Sequence, residues 1–224
     1  MCFFRPENRF PQRIFGGVAN HYDDPSLCSV DTFDYFHYRK EYDLKWRDGG
    51  AWELAPAKEE DLLDLEAFYG NKSAGLMLQG MDLTPQQQED DSIQECYQKA
   101  GFQREQSLFA LQKEGRTVAL FMLLRTEVGL NLSNLTNAIT VIVLDNKALP
   151  REAFFTAVSM LAAKYPHDDI PVLTYPPDYA ASQSIEVEKQ YNLWVLDCQH
   201  LDPYFEFCSN YFKRMSRPKK ESSP

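Results

Sequence analysis

The segment Gly129-Leu130-Asn131-Leu132-Ser133-Asn134-Leu135-Thr136-Asn137 alternates leucine with small amides and hydroxyls. In an extended chain Asn131, Ser133 and Asn137 share one face and Leu130 and Leu132 the other. With Asn134 they form a row of neutral donors and acceptors suited to an uncharged or zwitterionic ligand or to a partner. The same residue types also bond their own backbone and stitch a loop, so both roles stay open. A second constellation requires residues 33–42 to be helical. Asp34, His37 and Glu41 then lie on one face with the ligand types of a metal site. A solvated polar face has the same spacing, and no metal is assigned. His21, His167 and His200 have no companion at nucleophile or metal spacing. The sequence holds no Ser-His-Asp or Cys-His signature, P-loop or dinucleotide fingerprint. Its five cysteines (Cys2, Cys28, Cys96, Cys198 and Cys208) are odd in number and never form a Cys-x-x-Cys pair, which points to reduced thiols.

Whatever these residues do, a folded domain must hold them. A hydrophobic fraction of 44% is ample for a core in 224 residues, and a charged fraction of 25% is ordinary for a globular surface. The formal net charge of -10 repels a phosphate backbone, so nucleic acid is not an expected partner. No apolar run approaches the roughly 18–20 residues of a membrane span, and the start Met1-Cys2-Phe3-Phe4-Arg5-Pro6-Glu7-Asn8 lacks the charged-then-apolar order of a signal peptide. The expected location is the cytoplasm.

Residues 1–49 are rich in aromatics, proline and aspartate and show no sustained period of 2 or 3.6, which predicts an N-terminal arm or lead-in segment. Its stretch Thr32–Arg39 is too aromatic for a solvated linker and is expected to pack on the main domain, a partner or a sister subunit. Asp48-Gly49-Gly50 breaks the chain before the domain of residues 50–216, and residues 217–224 read as a polar tail. Within the domain, Ala51–Leu54 predicts a strand. An acidic first turn at Lys58-Glu59-Glu60-Asp61, followed by Leu62, Leu65, Phe68 and Tyr69, predicts a helix. A second helix runs from Pro85 to a cap at Gly101. Strands follow at Leu108–Gln112 and Thr117–Thr126 across the turn Lys113-Glu114-Gly115-Arg116, and at Ala138–Leu144. Pro150 opens a helix that stops at Tyr165-Pro166. Val172–Tyr175, Asp178–Gln190, Asn192–Gln199 and Asp202–Met215 predict a strand, a helix, a strand and a terminal helix.

From Trp52 the order is strand, helix, helix, three strands, helix, strand, helix, strand. Together with the opening Trp52-Glu53-Leu54-Ala55-Pro56-Ala57-Lys58-Glu59-Glu60-Asp61-Leu62, this order resembles the GNAT (Gcn5-related N-acetyltransferase) superfamily over about two-thirds of the chain. The resemblance implies an α/β (α+β) fold, with a mixed, mostly antiparallel central sheet flanked by helices. It also implies a last strand after the sixth, where this sequence has a helix instead. The family's cofactor loop, Arg or Gln followed by a glycine-bearing turn, lets backbone amides converge on the acyl-CoA pyrophosphate. The corresponding junction here, Leu144-Asp145-Asn146-Lys147-Ala148-Leu149-Pro150-Arg151, has no glycine. Asp145 adds a negative charge and Pro150 removes a donor. Lys147 and Arg151 are the cations that could attract an anion there. The family's proton-donating tyrosine comes from the helix after the fifth strand, where Tyr179 stands at the start and Tyr191 past the end. Glu127, at the end of the third strand, is the candidate base.

Two functions follow. The first is a diverged, non-catalytic GNAT-like domain acting as a regulatory or interaction module, with the arm available for a protein partner or self-association and the Asn131–Asn137 row for a small polar ligand. The alternative is an acyl-CoA-dependent N-acyltransferase with an atypical phosphate site; acyl-CoA is a cofactor only in that case.

Overall fold

The computed structural model describes residues 1–40, 51–88, 92–126, 135 and 137–215. Elements follow in the order β1 (Cys2–Phe4), α1 (Arg9–Pro11), a π-turn (Gln12–Gly16), α2 (Gly17–Tyr22), β2 (Cys28–Arg39), β3 (Trp52–Pro56) and α3 (Glu59–Lys72). Short helices α4 (Met77–Gly80), α5 (Pro85–Gln88) and α6 (Ser92–Lys99) lead to β4 (Arg104–Lys113), β5 (Arg116–Thr126) and β6 (Ile139–Val143). The chain continues through α7 (Arg151–Ala162), β7 (Asp169–Tyr175), α8 (Asp178–Ser182), β8 (Lys189–Leu196) and α9 (Asp202–Met215). The strands make one sheet in the order β1-β8-β2-β7-β6-β5-β4-β3. Only the β6–β7 pairing is parallel among those described, so the sheet is mixed and mostly antiparallel, with helices on both faces.

The predicted arm needs correction. Cys28–Arg39 is an inner strand, paired to β7 on one side and β8 on the other. Its lack of period is itself the signature of a strand covered on both faces. Phe33 and Tyr35 enter the core under α3 and α4, while Phe36 and Tyr38 enter the opposite core under α7. The supposed helix at residues 33–42 is therefore a strand through Arg39, and Glu41 lies outside the described residues. The helix predicted for Asp178–Gln190 also ends early, at Ser182. Ser184 has positive φ, and the chain re-enters the sheet at Lys189.

The other expected elements from Trp52 to Tyr175 are present at shifted ends; the helix expected from Pro85 to Gly101 is described as α5 and α6, and α4 is additional. Asp61 fixes the start of α3: its carboxylate accepts the Lys58 amide (2.8 Å) and bonds from Gln112 (2.9 Å) and Thr117. The helix entry is thereby tied to β4 and β5. A third, smaller core of Phe4, Val18, Cys28 and Trp194 is covered by Tyr204 and Phe207 of α9. Among the described residues no helix is long and apolar enough to cross a membrane.

Candidate functional site

The junction between β6 and α7 is the segment that the resemblance sets against a backbone-amide anion loop. Residues 144–151 contain seven amide N–H groups, because Pro150 has none. Leu144 and Asp145 both donate to the Val118 carbonyl, at 2.9 and 3.2 Å, and Leu149 donates to the Asp145 carbonyl at 3.2 Å. The Asp145 carboxylate turns back on its own loop and accepts from Lys147 (3.1 Å) and Ala148 (3.0 Å) through one oxygen. Such an Asx-type turn is the usual behaviour of aspartate before a helix. Arg151, the first residue of α7, donates its amide to Gln183 Oε1 at 3.0 Å. Six of the seven donors thus have acceptors within the protein.

The two cations of the junction are also engaged or turned aside. The Arg151 guanidinium donates to the Gln183 and Ser184 carbonyls and lies over the Phe155 ring, 5.2 Å from its centroid. It ties α7 to the end of α8. Lys147 is exposed on the loop, and its resolved hydrogen bond is the backbone one to Asp145. Lys147 and Arg151 therefore do not converge on a shared anion position.

Tyr179 is fully buried against Phe154, with its hydroxyl donating to the Leu149 carbonyl at 3.3 Å. Burial raises its phenol above the usual range, against a smaller opposing pull from Arg151. It packs α8 onto α7 and does not face a cleft as a proton donor must. Tyr191 lies in β8, edge-on to Tyr35. Asn137 accepts the Thr126 amide at 3.0 Å, joining the end of β5 to the start of β6. That is the loop-stitching role of its residue type. Glu127, Asn131, Ser133 and Asn134 lie outside the described residues.

The helical face that would align Asp34 with His37 does not form, because both residues lie in a strand. Asp34 and His37 are three residues apart in β2, and side chains there alternate, so they stand on opposite faces. His37 instead donates its amide to Glu188 Oε1 at 2.9 Å and brings its Nδ1 to the same carboxylate. No group of three or more metal-ligating side chains occurs among the described residues.

The residues that sequence inspection missed lie in β2. Asp31, buried beneath α3, accepts from the Tyr69 hydroxyl at 2.6 Å, and that oxygen accepts the Met77 amide at 3.1 Å. Ser29 Oγ accepts the Leu76 amide at 2.9 Å. Burial raises the Asp31 carboxyl above its ordinary range, and bonds from Tyr69, Ser73 and Tyr175 only partly offset this. Gly75 completes the contact, since a Cβ there would stand 2.6 Å from the Ser29 Cβ. This network clamps the Ser73–Met77 turn to the sheet. Its members are spread over 147 positions, from Ser29 to Tyr175, and no local motif announces them.

No family model matches the chain, and no curated protein matches it. One solved structure similar to it is that of a functionally unknown conserved protein from Staphylococcus epidermidis, with a TM-score of 0.39 and 10% identity. The similarity covers 76% of this chain and 63% of that one, and at this level it assigns neither fold family nor activity.

Proposed function

We propose that the chain is a diverged, GNAT-like domain that works by binding, as a regulatory or interaction module, and transfers no acyl group. The observation that carries this is the closed β6–α7 junction. A pyrophosphate is held by amides that point outward and lack other partners. Here the Asp145 carboxylate occupies two of those amides and also pairs with the exposed Arg116 at 3.5 Å, so the protein's own acid already fills the anion position. The GNAT-like description is supported by the element order from Trp52 and by the mixed, mostly antiparallel sheet. It is further supported by β2, which lies antiparallel to β8 and so offers, from the N-terminus, a companion for the sixth strand of the resemblance. An interaction role is supported by Phe205 and Phe212, two turns apart on α9 and 60% and 56% exposed.

Titration calorimetry with acetyl-CoA tests the proposal. The expected result is no saturable heat at low micromolar concentration. Saturable binding there would overturn the proposal and favour an N-acyltransferase with an atypical phosphate site.

A further inference from the structure

Away from the junction, an open cleft of about 550 Å³ lies between α8, the start of β8 and the turn after β1, within the roughly 300–1,000 Å³ of small-molecule sites. β2 and β8 pair Thr32 with Asn192 and Asp34 with Gln190, and strand alternation puts all four side chains on one sheet face. The first of these rungs is closed. Thr32 donates to Asn192 Oδ1 at 2.9 Å, and Asn192 donates to Gln12 Oε1 of the π-turn at 3.5 Å. The second rung, Asp34 and Gln190, lines the cleft.

Asp34 is a poor structural carboxylate. It is 2% exposed, and among the described residues it accepts one hydrogen bond, from Gln190 Nε2 at 2.9 Å. Burial raises its carboxyl above the ordinary range; the Gln190 bond opposes this, and Asp178, another acid, adds to it. A buried carboxylate normally has a cation or several donors around it. The other charges lining the cleft are engaged elsewhere: Arg5 pairs with Glu7, Glu188 with His37 at 2.9 Å, and the Lys189 ammonium lies over the Tyr35 and Tyr191 rings. An ionised carboxylate offers about four acceptor sites, so Asp34 keeps capacity for further donors from the cleft.

The lining also restricts the charge of what supplies them. An anion would meet Asp34, Glu7 and Glu188, and a cation would meet Arg5 and Lys189. A neutral molecule rich in hydroxyl donors meets neither repulsion. We propose that this cleft binds a pyranose sugar ring, with two adjacent hydroxyls donating to the Asp34 carboxylate, a third bonded to Gln190, and a C–H face of the ring against Pro177 and Val187. Hydroxyl bonds to a carboxylate are charge-assisted, and the apolar wall covers the side of the ring that carries no hydroxyl. The proposal goes beyond the binding-module reading by naming a ligand class, and it makes no use of the β6–α7 junction.

The test titrates the full chain with the methyl α-D-pyranosides of glucose, mannose and galactose and follows amide chemical shifts. Tetrahydropyran-2-methanol, which keeps the ring and lacks the diol, and n-butylammonium chloride are the controls. Saturable shifts at Ala181, Lys189 and Gln190 below about 20 mM are expected with at least one glycoside and with neither control. D34N keeps the shape of the side chain and removes its charge, and should weaken binding about fivefold or more. A181W places an indole in the cleft from an exposed position of α8, and should abolish the shifts without lowering the melting temperature. No saturable shift with any glycoside, an equal response to either control, or unchanged affinity in either variant would overturn the site. Acetyl-CoA binding would instead sink the binding-module reading and leave the glycoside result standing.

Discussion

Asp61 and Asp145 show how one residue type does two jobs according to what surrounds it. Asp145 turns inward on two amides of its own loop and takes the donors an anion there would need. Asp61 instead links three elements through Lys58, Gln112 and Thr117. Burial works to raise the Asp61 carboxyl, yet the donated bonds outweigh it and hold the group below its ordinary range. A carboxylate with a depressed folded-state pKa contributes stability that is fully present above its unfolded value of about 3.9 and is lost as pH falls through the folded value. D61N should therefore cost about 1–2 kcal/mol at pH 7, the net worth of charge-assisted bonds reduced to neutral ones. Urea denaturation should show the gap between parent and variant narrowing as pH falls below about 3.9 and through the lower folded-state value, as the folded carboxylate takes up its proton. A constant gap across that range would show that shape, and not charge, is what Asp61 supplies.

At the scale of elements, β2 decides whether the sheet is continuous. It carries pairings to β7 from Asp34 to Arg39 and to β8 from Cys28 to Tyr35. Deleting residues 1–40 leaves two facing strand edges open and uncovers the cores that Phe33, Tyr35, Phe36 and Tyr38 now fill. Each large buried side chain of this kind is worth on the order of 2–3 kcal/mol by its burial alone, and the net stability of a whole domain is about 5–15 kcal/mol. The truncated chain is expected to lose its cooperative thermal transition and to elute as aggregate on size exclusion. A soluble monomer with an unchanged melting temperature would show that β2 is an appendage after all.

For the molecule as a whole, the third core joins the two ends of the chain. Cys28 is 3% exposed in it and accepts the Trp194 indole N–H at 3.1 Å. Burial pushes its thiol up to about 11, against the lowering effect of that bond. The thiolate is the reactive form, so Cys28 should be labelled far more slowly by a disulfide reagent than exposed Cys96 and Cys198. Removing α9 from Asp202 onward strips Tyr204 and Phe207 from this core. Cys28 labelling, followed site by site by mass spectrometry, should then accelerate by about tenfold or more while the far side of the sheet stays folded. Equal rates before and after truncation would show that α9 does not cover this core.

Local chemistry in the sequence was enough to place most elements from Trp52 onward, including the acidic start of α3, the turn at Gly115, the Pro150 opening of α7 and the run that became β6. It was also enough to see that the β6–α7 junction lacks glycine and carries Asp145, because these are facts about adjacent residues. What it did not determine was which strands are neighbours. β2 lacks an alternating pattern because both of its faces are buried, and a period of 2 appears only when one face meets water. Its place between β7 and β8 depends on pairings about 130 to 170 residues apart, which leave no local trace. The Asp34–Gln190 rung of the cleft exists only through that register. Tyr179 is likewise an ordinary helix-start tyrosine in the sequence, and only the packing of α8 on α7 turns it inward to the Leu149 carbonyl.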